Sequence, residues 1–582
     1  MTKAELLNHL LGADEDDHAI GTLRIEDLPP TYFRLLIRHH NAKVEYYLTL
    51  LPEHQVVLRR KVEQLCIPTE EVFIRKLDDK DQRKSISLEL RKANDFYAYR
   101  RWVLGRPPLS TIFKNFFRRP FPAFLPKRDR ARHCYIIGAS GSGKSVTLLA
   151  LMMKDKRPTA NESYPVTSKS TVLLIEPHGD LALDMARQKV FYEDFKAHLE
   201  NECDDWNLIY FDPTLASDDG KYPVFNPFAI VGGMSERQLD RTAQQFTQAF
   251  LAMLGSGQAL SLNMATMLHP VLMTLLRLKG STMKDLLKFL NDDPALVTLG
   301  KQSPNEQHRY FFRNRFQTSA FARTKQSVAT KVQSLLNHDV FAKCFCSPES
   351  TIDLETATRQ GKTIIINLAK GKLGAELSSA MGKLFVASLL AIAFNRADST
   401  AKRTPISLVL DECQNFINPA MKTILTEARK YRLQLTLAQQ IVGQDMDTEL
   451  TRCVLGNTAV QGIGKSANYS KDKMATEFGG PVQELSNLQT GQFIWKVASR
   501  QPVTVQMTGE YLARACLMTP EQWTELREAM ITRYYVSCDQ DTVASDKSQL
   551  YEEILASQVP VRSLGQDCEP AFPMHHFEEE DL

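Results

Sequence analysis

Residues 134–154 run CYIIGASGSGKSVTLLALMMK, an apolar β-branched segment, a glycine-rich turn and a helical apolar pattern in immediate succession. No other stretch of the chain limits its fold so strongly. The turn is Gly138-Ala139-Ser140-Gly141-Ser142-Gly143-Lys144-Ser145, with the G-x-x-x-x-G-K-S spacing of a phosphate-binding loop between a strand and a helix. Its glycines let the backbone curl so that several N–H groups face one β-phosphate, and the helix that follows adds the positive end of its dipole. In such a loop Lys144 bridges the β- and γ-phosphates and Ser145 offers its hydroxyl to a metal ion. The expected cofactors are therefore ATP and Mg2+.

A loop of this kind needs a sheet behind it. Apolar runs at 134–138, 171–177, 206–213, 363–369, 406–412 and 433–438 alternate with helical patterns, and short continuous apolar strands between helices predict a largely parallel sheet covered on both faces. The alternation stops between 235 and 347, where the pattern is almost purely helical, as in QFTQAFLAMLG and MLHPVLMTLLRLKG. That stretch reads as a helical domain inserted into an α/β core. Helical spacing also dominates from Thr31 to Arg106, including SISLELRKANDFYAYRRWVL over 85–104. The expected organisation begins with a helix-rich N-terminal domain (1–106) and a basic, aromatic and proline-rich linker (107–131). The ATPase core follows in two stretches, 132–234 and 348–515, on either side of the inserted all-helical domain (235–347). A C-terminal helical segment with an acidic tail (516–582) completes the chain.

The run Leu408-Val409-Leu410-Asp411-Glu412 ends an apolar strand in two acids. Strand ends on one edge of a parallel sheet converge on the phosphate crevice, so Asp411 can complete a Mg2+ shell while Glu412 orients and deprotonates an attacking water. Water activation implies hydrolysis, which weakens a kinase reading. Downstream, Glu427-Ala428-Arg429-Lys430-Tyr431 precedes the strand LQLTLA and then Gln439-Gln440. An amide at that strand end can sense the γ-phosphate, and Arg429 can face a neighbouring subunit.

Taken in order, the phosphate loop, the segment Glu176-Pro177-His178-Gly179-Asp180, the segment FNPF, the helical insertion, LDECQNF, EARK and TLAQQ resemble the coupling ATPases of type IV secretion and conjugation. These are TraG/TraD-like members of the HerA/FtsK superfamily of hexameric DNA-pumping motors. The resemblance covers about Arg132–Thr508. It implies a RecA-like P-loop core with a mainly parallel sheet, the helical domain inserted in it, and a helix-rich domain before it. It also implies an ATPase that translocates DNA, single- or double-stranded, as a homo-oligomer, a hexamer, with a relaxase, secretion-channel or effector partner. Matched residue by residue, Lys144 and Glu412 are catalytic, Arg429 is the arginine finger supplied to the adjacent subunit, and Gln440 is the sensor, with Gln439 as its register alternative. The same superfamily leaves a second function open, an ATPase switch or scaffold that assembles with a partner effector without moving DNA.

The formal net charge is +3, too small for a global electrostatic hold on DNA, so any basic patch must be local. Ten Lys or Arg lie between Arg100 and His133 against Asp129, interleaved with aromatics. They can contact phosphates and stack on bases, sit on an anionic membrane surface, or belong to a strap packed on the core. Arg309, Arg313, Arg315, Arg323, Lys325 and Lys331 form a second cluster, a DNA contact or a solvated helix face. The tail Glu578-Glu579-Glu580-Asp581 either docks a partner or is solubilising. Ten scattered cysteines without a paired ligand motif argue against a zinc framework and fit a reducing compartment. The apolar run Leu384–Phe394 is about half of the roughly 20 residues that a bilayer requires, and the acidic N-terminus is no signal peptide. A cytoplasmic location is expected, peripheral at the inner membrane through partners, with no transmembrane segment.

Overall fold

The computed structural model describes residues 19–23, 71–76, 86–91, 121–125, 127–156, 170–203, 205–229, 234–254, 258–398, 403–417, 421–479, 485, 487–500, 502–507 and 509–537. These fall in two compact units, one within Met1–Pro223 and Ile352–Val536, the other within Val224–Thr351 and Ser537–Leu582. The class is α/β, with a RecA-like P-loop core.

Among the described residues, the first unit is built on an eleven-stranded sheet. Seven neighbouring strands are parallel, in the spatial order Val460–Ile463, Cys134–Ile137, Leu433–Gln439, Ile406–Leu410, Thr171–Glu176, Thr363–Asn367 and Leu208–Phe211. Six of them are the apolar runs anticipated from the sequence. Runs such as TIIIN and ISLVL are buried at every position, because helices cover both faces and no alternate side chain meets water. Beyond Val460–Ile463 the sheet turns antiparallel through Gln492–Val497, Val503–Met507, Ala19–Leu23 and Phe121–Phe124. These four strands, and Val460–Ile463, were not anticipated. Phe121–Phe124 falls within the expected linker 107–131, where prolines tolerated on an edge strand hide the pattern.

A further correction concerns the N-terminal region. Ile86–Arg91 is a strand paired antiparallel with Glu71–Lys76, not part of a helix: I-S-L-E-L-R alternates with period two, which competes with the helical reading of the longer stretch. The other helical segments expected in 1–106 lie outside the described residues.

Helix Ala375–Asn395 is long and apolar enough to cross a membrane, the only such helix among the described residues. The apolar run inside it was expected to be too short for this. In the fold it is a core helix: Leu384 through Leu390 are buried, and Gly382 lies so close to the ring of Phe416 that any Cβ there would overlap it. Helix Pro520–Tyr534, capped by Thr519 with a reciprocal Gln522 contact, packs in the same unit, with Trp523 edge-on to Tyr210 at 6.0 Å.

The second unit is a helical stack from Glu236–Leu254 to Asp339–Phe345. Phe289, Phe311, Phe312, Phe316 and Phe321 form its ring cluster, with Phe311 and Phe321 centroids 5.2 Å apart. Local signals set the helix starts, as where Asp293 accepts the N–H groups of Ala295 and Leu296 beside Pro294. One member of the expected basic cluster is withdrawn from solvent: Lys325 is buried, with Nζ 2.6 Å from Asp292 Oδ1 and over the Phe316 ring. The same holds in the first basic stretch for Arg130, buried against Asp155 at 2.7 Å. Residues 92–120 and the acidic tail lie outside the described residues.

The helix after the phosphate loop, Lys144–Lys156, buries most of its length and ends on a buried lysine. Lys156 Nζ donates to the Gly361 carbonyl and to Ser170 O at 3.2 Å. Burial pushes its ammonium down from 10.5 to about 7; Asp194 opposes this and Lys362 adds to it. Between those values the unfolded chain binds the extra proton, so this group makes stability rise with pH across that window. Urea midpoints should therefore gain between about pH 7 and about pH 10, and Lys156→Met should lose that gain while lowering stability overall, because two carbonyls lose their donor.

Candidate nucleotide site

The phosphate loop springs from the central strand Cys134–Ile137 and leads straight into helix Lys144–Lys156. Gly141 and Gly143 have φ of 74° and 94°, left-handed backbone that favours glycine. Gly138 has no room for a side chain, since a Cβ would meet Ser142 Oγ. The loop is held from outside by its neighbours. Gly138 N–H donates to Gln439 O (3.1 Å), Ala139 N–H to Lys465 O (2.9 Å), and Gly491 N–H to Ser142 O (2.8 Å). Thr490 Oγ1 donates to Gly141 O at 3.2 Å, and a Cβ on Gly143 would stand 3.0 Å from Gly491 Cα. Among the described residues these ties leave the N–H groups of Gly141, Gly143, Lys144 and Ser145 without an acceptor, a cradle that fits a polyphosphate.

The two acids meet the loop at the Lys144 ammonium. Lys144 Nζ donates to Asp411 and, at 2.7 Å, to Glu412 Oε1, with all three side chains buried. Burial alone would push the Lys144 ammonium down; the charges of Asp411 and Glu412 outweigh it and hold the group above its ordinary value. For Glu412, burial works upward, but the Lys144 charge and the hydrogen bonds from Lys144, Gln414 and Gln440 keep its carboxyl below the usual range. It is therefore ionised at neutral pH. Gln440 Nε2 lies 3.1 Å from Glu412 Oε1 and Gln414 Nε2 lies 2.9 Å from Oε2. Asp411 with the exposed Ser145 hydroxyl is a hard-oxygen donor set beside the loop, of the type that suits Mg2+ with its phosphates and waters. The residues present fit Mg2+ and ATP.

The two glutamines differ in their contacts. Gln439 is fully buried, accepting from Tyr135 OH at 2.6 Å and donating to Gln444 O at 3.0 Å, whereas Gln440 reaches the acid. Arg429 lies in a short turn, Ala428–Tyr431, ahead of strand Leu433–Gln439; its side chain is outside the described residues. The turn is at the opposite edge of the sheet from the phosphate loop, about 20 Å away at the rise of a seven-residue strand.

Glu176, first residue of the Glu176–Asp180 segment, ends the strand beside the acid strand. Burial pushes its carboxyl up to about 7; the N–H groups of Gly179 and His178 oppose this, and the Asp411 charge adds to it. Sequence reading missed Gln414, Asn415, Lys370, Thr490 and Gly491. Gln414 and Asn415 follow the acids after Cys413 and could have been suspected; the others carry no motif.

No family model matches the chain, and no curated protein matches its sequence. Among solved structures it is similar to the bacterial conjugative coupling protein TrwBdeltaN70 in its unbound form (TM-score 0.46, 13% identity, covering 66% of this chain and 87% of that one). It is similar to the plasmid coupling protein TrwB in complex with ADP and Mg2+ (TM-score 0.45, 12% identity, 66% and 87%). VirB4 of Thermoanaerobacter pseudethanolicus gives a TM-score of 0.40 at 12% identity, over 69% and 95% of the two chains.

Proposed function

We propose that this chain hydrolyses ATP and works as a ring, a hexamer, that translocates DNA or a DNA–protein substrate. The observation that carries the hydrolytic reading is the meeting of Lys144, Glu412 and Gln440 over a loop whose N–H groups are free to receive phosphate. Those N–H groups and Lys144 hold the β- and γ-phosphates. Ser145 and Asp411 would hold Mg2+, which neutralises charge on the phosphate oxygens. Glu412, kept ionised, accepts a proton from water as its oxygen attacks the γ-phosphorus and the β–γ bridging oxygen leaves. Gln440 donates to the same carboxylate oxygen and so fixes its direction.

Ring assembly is supported by the position of Arg429 at the sheet edge away from its own loop, where a finger can serve only a neighbour. Translocation is supported by the motif order, which also points to a relaxase, secretion-channel or effector partner and to a cytoplasmic site at the inner membrane. A second reading, an ATPase switch that moves no DNA, is favoured by the removal of Arg130 and Lys325 from the available basic surface.

ATPase rate with and without single- and double-stranded DNA, measured with the mass of the assembly, separates the two. The motor is expected to be a ring stimulated by DNA; a DNA-indifferent monomer overturns it. Lys144→Ala is expected to abolish turnover in either case, since the ammonium that stabilises charge on the γ-phosphoryl oxygens is lost and two buried carboxylates are left facing each other. Undiminished hydrolysis in that variant removes the assignment of the loop.

A further inference from the structure

We infer that Lys370, acting through Asn415, is a positioning residue for the Glu412 carboxylate; the inference rests on the proposed hydrolysis. Glu412 has a φ of 46°, a left-handed conformation that a non-glycine residue keeps only where its surroundings enforce it. The enforcing contacts are visible. Asn415 donates to the Glu412 carbonyl twice, from its main-chain N–H at 3.0 Å and from Nδ2 at 2.7 Å. Asn415 is itself held on both sides: Lys370 Nζ donates to its Oδ1 at 2.6 Å, and Ser379 Oγ donates to its carbonyl at 2.7 Å. With Oδ1 occupied by the ammonium, the amide has one orientation left, and that orientation aims Nδ2 at Glu412 O.

Lys370 is anchored independently. Its N–H donates to Pro177 O at 2.8 Å, and Leu368 N–H donates to Glu176 O at 2.9 Å, so the segment after strand Thr363–Asn367 is tied to the loop after Glu176. The backbone of the acid strand's end is thereby braced against the ends of the adjacent strand Thr171–Glu176 and of the next one, Thr363–Asn367. The Lys370 ammonium is spent on Asn415 rather than on the phosphate loop, so nucleotide affinity does not depend on it. Displacing a reacting group by an ångström can cost about 100-fold in rate. Loosening Glu412 should therefore lower kcat while leaving binding alone.

The experiment uses the full chain, ATP and Mg2+, with kcat and nucleotide Kd measured for wild type, Lys370→Met, Lys370→Arg, Asn415→Asp and Glu412→Gln, and for Lys370→Met combined with Glu412→Gln. Lys370→Met and Asn415→Asp are expected to lower kcat between about 10- and 100-fold with Kd unchanged. Asn415→Asp keeps the acceptor for Lys370 but loses the donor to Glu412. Lys370→Arg, which preserves a donor, should recover most of the rate. The double variant should be no slower than Glu412→Gln, because nothing remains for Lys370 to position. Unchanged kcat in Lys370→Met overturns the inference. So does a further loss in the double variant, or a loss of nucleotide affinity and thermal midpoint that tracks kcat, which marks a purely structural contact. Wild type that binds ATP without hydrolysing it fails earlier, at the proposed activity, and takes this inference with it.

Discussion

Glu412→Gln should bind ATP as tightly as the parent chain and hydrolyse it about 10² to 10⁴ times more slowly, the usual contribution of a positioned general base. The substitution keeps the size of the side chain and an oxygen that can accept from Lys144, now 2.7 Å away. It removes the basicity. Its two neighbours do not replace it: in this reading Asp411 is committed to the Mg2+ shell, and Gln440 is an amide. Binding is preserved because the cradle of N–H groups is untouched and Lys144 keeps Asp411 as a partner. Kd from a fluorescent nucleotide and turnover from phosphate release measure the two quantities separately. Loss of both together would show that Glu412 holds the site's shape rather than its chemistry.

The second large effect is expected at Arg429. Finger arginines in phosphoryl transfer are worth about 10³ to 10⁵ in rate, and Arg429→Ala should bind ATP normally yet be nearly inactive. The strand Leu433–Gln439 separates the turn carrying Arg429 from the phosphate loop of the same chain, a span longer than an arginine side chain. A finger at this position would serve the γ-phosphate of a neighbouring subunit, not that of its own chain. Mixing provides the check. A subunit with Arg429→Ala has a sound phosphate loop, one with Lys144→Ala has a sound finger, and each is expected to be silent alone. Rings containing both should recover some of the activity at interfaces that pair a sound finger with a sound loop. Mass measurement must first show that subunits have exchanged. Full activity of Arg429→Ala by itself rejects the finger.

Much of the core is legible in the sequence because its signals are local. A strand buried on both faces is a continuous apolar run, so six of the seven parallel strands are visible, and a phosphate loop is eight consecutive residues whose spacing is its chemistry. Asp411 and Glu412 are legible for the same reason, as acids at the end of such a run. The antiparallel strands Gln492–Val497 and Val503–Met507 are not, because they mix polar and apolar residues. Ile86–Arg91 reads as helix because a period-two segment lies inside a longer helical pattern.

What tertiary structure alone decided are relations between segments far apart in sequence. Which glutamine faces the acid depends on strand pleat: Gln439 turns inward to Tyr135 and Gln440 outward to Glu412, and a shift of one residue exchanges the faces. Arg130 and Lys325 look like surface cations until Asp155 and Asp292 are found beside them. The hold of Thr490 on the phosphate loop, and of Lys370 on Asn415, joins residues separated by 349 and 45 positions. Sequence determines which chemical groups the chain owns and the short-range pattern that folds each element; packing of the sheet determines which of those groups meet, since burial and hydrogen bonding act through space and not along the chain.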